Sequence, residues 1–119
     1  GNSVPFLVMG WFVMLRGIPE FFKVSAIVLL CSGIGVWLFG ARGLHIGASG
    51  VVFGYFGFLL SRAYFDRSAL SVALALAVGL LYGGLIWGVL PVRYGISWEG
   101  HLFGFLGGIF AASQITKRV

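Results

Sequence analysis

The fold class this sequence predicts is an all-α, polytopic membrane helix bundle, and three observations predict it. Hydrophobic residues make up 60% of the 119 residues and charged residues only 9%, where a soluble domain carries roughly 25% charged residues. The apolar runs are about the length a helix needs to cross roughly 30 Å of hydrocarbon. Glycine is the third signal, at 20 residues. In lipid, small residues let helix backbones approach closely, and van der Waals packing then replaces the hydrophobic drive that water supplies.

The whole chain, 1–119, is predicted to be one transmembrane domain with five spans. The first covers about 4–15 and ends at the turn Gly17-Ile18-Pro19-Glu20. The second covers about 21–39, followed by the loop Gly40-Ala41-Arg42-Gly43. The third runs over about 48–64 and is broken by Asp66-Arg67-Ser68, with Ser68 placed to cap the fourth span, about 69–90. Pro91-Val92-Arg93-Tyr94-Gly95 stops that helix, and the fifth covers about 98–115. The chain opens on Gly1-Asn2-Ser3 directly before an apolar run, so the expectation is a piece of a longer protein. One further helix before Gly1 would return both ends to the cytoplasm.

Charge assigns the sides. Arg16, Lys23, Arg62, Arg67, Lys117 and Arg118 fall on one face, and Arg42 and Arg93 on the other. The face with the excess of basic residues is cytoplasmic by the positive-inside rule. The net charge of +5 therefore reflects orientation, and nucleic acid is not an expected partner. Tyr94 and Trp98 read as interfacial belt residues. Cys31, the single cysteine, lies in mid-span, which excludes an internal disulfide and suits a small buried apolar residue. The two histidines lack acidic or thiol companions at ligand spacing, so no metal is expected. The glycines follow helical packing rather than a strand-to-helix turn, so no phosphate loop and no cofactor is expected either.

Two polar side chains stand out against this background. Ser49 follows His45-Ile46-Gly47-Ala48 at the head of the third span, and His101 follows Gly100 at the head of the fifth. Both lie a short way in from the extracytoplasmic surface, at similar depth. Gly50, Gly54 and Gly57 make a bare stripe on the third helix; His101, Gly104, Gly108 and Ala112 make another on the fifth. Two such stripes pressed together bring their tops into contact, and a serine Oγ within reach of an imidazole is the arrangement that activates a serine nucleophile. Ser49 also falls in a first helical turn, whose N–H groups lack intrahelical acceptors and favour negative charge. Those donors suit the oxyanion of an acyl-transfer intermediate, and Asn2, at the same depth on the first helix, offers a side-chain donor. Phe53, one turn below Ser49, is placed to pack on His101.

Plainer readings compete residue by residue. A serine beside glycines also serves helix packing, an intramembrane histidine also lines ion paths, and Asn2 also suits a helix cap. His45 competes with His101 as the partner of Ser49, from a loop or pre-helical turn. The convergence of these residues on one depth favours nucleophilic catalysis inside the bilayer.

In these residues the chain resembles the rhomboid family of intramembrane serine proteases. The matches are Gly47-Ala48-Ser49-Gly50 at the head of a helix, and His101, Gly104 and Gly108 two spans later. Asn2 matches the family's oxyanion asparagine, and Glu20 with Arg16-Gly17 resembles the loop after that span. The resemblance covers essentially the whole chain. It implies a rhomboid-like core of six helices, five of them present here, and a Ser–His dyad without an aspartate. It implies Ser49 as nucleophile and His101 as general base and then acid, with Asn2 and the Ser49 N–H forming the oxyanion hole and Gly47 shaping the loop beside it. The implied substrates are transmembrane proteins, cut near their extracytoplasmic ends where small or helix-destabilising residues let the chain unwind. The implied location is a bacterial plasma membrane, with the lipid bilayer itself as the surrounding partner. This chain departs from the family in lacking the first helix, its long following loop and a histidine four residues before Asn2. It also has Phe53 where a tyrosine is common.

Two rivals remain. A catalytically inactive rhomboid-like protein would bind and escort membrane segments, but it would need neither Ser49 nor His101. A transporter or channel would need more intramembrane polar residues than these spans offer.

Overall fold

The computed structural model describes residues 3–15, 17–39, 47–89 and 98–116. They form α1 (Ser3–Met14), α2 (Ile18–Phe39), α3 (Gly47–Asp66), α4 (Ala69–Tyr82) with a 3-10 segment directly after it (Gly83–Val89), and α5 (Trp98–Thr116). The all-α class is as predicted, and each helix falls on one of the five spans. The differences lie at the helix ends.

Gly17-Ile18-Pro19-Glu20 is predicted to be a turn, but the turn ends at Gly17, at a φ of +132° that side chains rarely adopt. The Phe21 N–H donates to the Gly17 carbonyl at 3.1 Å, so α2 starts at Ile18. Pro19 fits there because first-turn N–H groups have no intrahelical acceptor to lose. α3 continues to Asp66 and stops at Arg67, whose φ of 63° is left-handed. Ser68 caps α4 as its position predicts, its Oγ accepting from the Ser71 N–H at 3.1 Å.

The fourth span, expected as one helix over 69–90, tightens into 3-10 geometry after Tyr82. A Cβ on Gly83 or Gly84 would meet nothing within 4 Å. Two successive glycines weaken the α-helix at that point. Ala69–Trp87, with mean hydropathy 2.2, is the one helix among the described residues long and apolar enough by itself to cross a membrane. Val4–Met14 and Gly100–Ile115 are shorter apolar helices. In α3, glycine, serine and terminal charges dilute the apolar character.

α3 is the centre of the bundle, packed against all four other helices. Residues 50–59 are buried without interruption. Around them α1 supplies Met9 and Val13, α2 Val24 and Val28, α4 Leu74 and Val78, and α5 Ala111 and Ala112. The outside is apolar too: Leu80 is 88% exposed and Trp37 81%. An exterior this greasy around a glycine-lined interior is suited to lipid as solvent.

Polar contacts mark one end. Arg62 near the end of α3 bonds Glu20 at the start of α2 (3.1 Å), with Asp66 at 3.7 Å from its Nε. Asp66 also accepts from Ser68 and Ser71, at 2.9 and 2.5 Å. α2 and α3 are therefore antiparallel, and the basic residues Lys23, Arg62 and Arg67 share one end of the molecule. The starts of α3 and α5 share the other.

Candidate active site

The site is assembled by backbone contact between α3 and α5. A methyl group on Gly104 would collide with the Gly50 carbonyl oxygen, and one on Gly108 with the Gly54 carbonyl and, at 2.7 Å, with the Phe58 nitrogen. The helices run parallel, and the pairs 50/104 and 54/108 repeat after one turn. This register sets the first turn of α3 beside the first turn of α5. A side chain on any of these glycines would force the two backbones apart.

α2 closes the back of the contact. A methyl on Gly54 would strike Val28, one on Gly50 would strike Ser32, and one on Gly107 would come within 2.8 Å of the Cys31 Cβ. Ser32, only 8% exposed, donates from its Oγ to the Gly100 carbonyl at 3.0 Å. Deeper in the bundle a hydroxyl pair, Ser25 and Tyr55 at 2.7 Å, joins α2 to α3.

His101 is partly buried at the head of α5. The ring of Phe53 lies against it, with centroids 4.1 Å apart and planes inclined by 11°. Such a stack restricts the imidazole to one plane. Phe53 is itself 5% exposed, so the surrounding core holds it in place.

The structure brings together His101, Phe53 and the Gly50 step of α3. Gly47 and Ser49 lie in the first turn of α3 by backbone conformation, while the Ser49 side chain falls outside the described residues. Asn2, His45 and Tyr94 lie outside them entirely, as do Arg16, Arg42, Arg93, Lys117 and Arg118; the Trp98 side chain does as well. Among the described residues no three His, Cys, Asp or Glu side chains group to hold a metal ion. Sequence reasoning did not single out Ser32. Its only signal is a hydroxyl near the middle of an apolar span, a position serines also occupy for packing alone.

A family profile described as the Rhomboid domain matches residues 1–118. Uncharacterized proteins of Mycobacterium bovis and Mycobacterium tuberculosis are 39% identical over 124 residues, covering 97% of this chain and 52% of theirs. One from Mycobacterium leprae is 38% identical, over 97% of this chain and 49% of its own. The chain thus spans about half the length of the relatives it matches. No solved structure matches it. With a family match over nearly every residue, carried by a helical bundle packed on glycine, the chain belongs to the rhomboid family of integral membrane proteins.

Proposed function

We propose that this chain is the core of an intramembrane serine endopeptidase of a bacterial plasma membrane, with Ser49 as nucleophile and His101 as general base. The observation that carries the reading is the stack of Phe53 on His101 at the point where Gly50 and Gly104 bring the starts of α3 and α5 together. Rhomboid members are usually intramembrane serine proteases, which agrees with it.

In the proposed reaction His101 takes the proton from the Ser49 hydroxyl as its oxygen attacks the scissile carbonyl. The oxyanion is held by the free N–H groups of the first turn of α3 and by Asn2. His101 then passes the proton to the leaving amine, and the C–N bond breaks to leave an ester on Ser49. A water molecule, deprotonated by His101, attacks that ester; the proton returns to Ser49 and the acid product departs. A peptide bond within a helix is shielded by the helix itself, so the substrates are transmembrane segments that unwind near their extracytoplasmic ends. The charge bias of Lys23, Arg62 and Arg67 supports an extracytoplasmic side for the opposite end, that of Gly50 and Gly100.

The test is cleavage of a panel of single-span substrates by the intact protein in liposomes, alongside Ser49→Ala and His101→Ala. Either change is expected to abolish cleavage, and a fluorophosphonate should label wild type but not Ser49→Ala. If wild type neither cleaves nor labels, the chain is instead a rhomboid-like binder of membrane segments.

A further inference from the structure

One hydroxyl in this bundle touches both halves of the proposed site from outside it. Ser32, on α2, donates to the carbonyl of Gly100, the residue before His101, at 3.0 Å. The same Oγ occupies the space that a side chain on Gly50, the residue after Ser49, would need; the Ser32 Cβ lies 3.0 Å from that position. The hypothetical Gly50 methyl would also lie 3.6 Å from the Gly100 oxygen. Three helices therefore meet at this one point, and both of Ser32's partners there are glycines.

We propose that Ser32 is a positioning residue for the Ser49–His101 pair, its hydroxyl fixing how far the start of α5 sits along and against the start of α3. The inference rests on the reading of Ser49 and His101 as a catalytic pair. Its physical basis is the kind of contact involved. Glycine against backbone is a smooth interface, which sets distance well but sets sliding poorly. A directional hydrogen bond supplies what the smooth contact lacks, and at this depth little water competes for it. The Gly100 carbonyl has two lone pairs. One serves the α5 helix through the i+4 N–H, so the second is free to take the Ser32 proton without interrupting the helix. Removing the hydroxyl therefore leaves no unsatisfied buried group, and Ser32→Ala is expected to fold.

The consequence is kinetic. Reacting groups displaced by a fraction of an ångström to about 1 Å lose up to roughly a hundredfold in rate, whereas substrate docking elsewhere is unaffected. Ser32→Ala is expected to lower kcat by about tenfold or more with KM unchanged. It should lower the rate of fluorophosphonate labelling by a similar factor, since labelling reads the pair without a transmembrane substrate.

Tyr55→Phe is the matched control. It removes an α2–α3 hydroxyl contact, with Ser25 at 2.7 Å, about 7.5 Å along α3 from Gly50 at 1.5 Å per residue.

The experiment measures kcat, KM, labelling rate and thermal midpoint for wild type, Ser32→Ala and Tyr55→Phe of the intact protein in liposomes. The proposal expects Ser32→Ala to lose turnover and labelling while its midpoint falls no further than that of Tyr55→Phe, which keeps both activities. Wild-type labelling and turnover in Ser32→Ala would overturn it. So would parallel losses of activity and midpoint in both variants, because Ser32 would then be ordinary packing. Failure of the dyad reading looks different: wild type would not label, or Ser49→Ala would still cleave.

Discussion

Phe53 and His101 act as one unit, because the ring that restricts the imidazole is itself locked in the core. Replacing Phe53 by leucine keeps most of the apolar volume and removes the flat surface. The expected stability loss is under about 1.5 kcal/mol, while kcat should fall several-fold as the imidazole gains freedom to rotate; a thermal melt and a cleavage assay on the same sample separate the two effects. Phe53→Tyr keeps the stack and is expected to retain turnover. His101 stood out in the sequence because polar side chains are few in these spans and costly in lipid. Ser32 did not, because a serine in an apolar helix has no distinguishing neighbours in sequence. What distinguishes it is that α2 meets α3 and α5 at one point, which no local pattern encodes.

Among the elements, the α3–α5 contact is the one that a single carbon can break. Gly108→Ala drives a methyl group onto the Gly54 carbonyl and to within 2.7 Å of the Phe58 nitrogen. Backbone atoms cannot swing aside, so overpacking there is expected to cost roughly 1–3 kcal/mol and most of the activity. Gly79→Ala is the contrast. A Cβ at Gly79 meets nothing within 4 Å, and alanine is the better helix former by roughly 0.5–1 kcal/mol, so the thermal midpoint should hold or rise. The all-helical class was readable from hydropathy and glycine spacing. The helix ends were harder. Gly17, at a positive φ, helped make the turn and let Pro19 enter α2, and Gly83-Gly84 loosened the last turns of the fourth span.

For the molecule as a whole, two different kinds of contact close the two ends of the bundle. At one end Arg62 is buried against Glu20, with Asp66 close by; towards the other, among the described residues, glycines and Ser32 join α2, α3 and α5. Glu20→Gln leaves the Arg62 guanidinium buried without its closest charged partner. Breaking a buried pair costs about 3–5 kcal/mol, and Glu20, whose side chain is 32% exposed, should fall below that range because water reaches it. Urea or thermal unfolding in detergent measures the loss. Orientation is testable separately. In a Cys31→Ala background, Lys23→Cys should react with a membrane-impermeant thiol reagent in inverted vesicles and not in intact cells; the reverse result would turn the molecule over and move the proposed site to the cytoplasmic side.

The uninterrupted burial of α3 from residue 50 to 59 also bears on how this protein can change over evolutionary time. A helix with one lipid-facing side varies freely there and shows a three-to-four-residue rhythm of tolerance, as α4 should, with Leu76 and Leu80 open and Leu74 and Val78 enclosed. The centre of α3 has no such free side. In a saturation-mutagenesis survey its tolerance should be low and flat rather than periodic. Drift in the family's sequences is then channelled into the outer helices, leaving α3 as the segment by which distant relatives are most easily aligned.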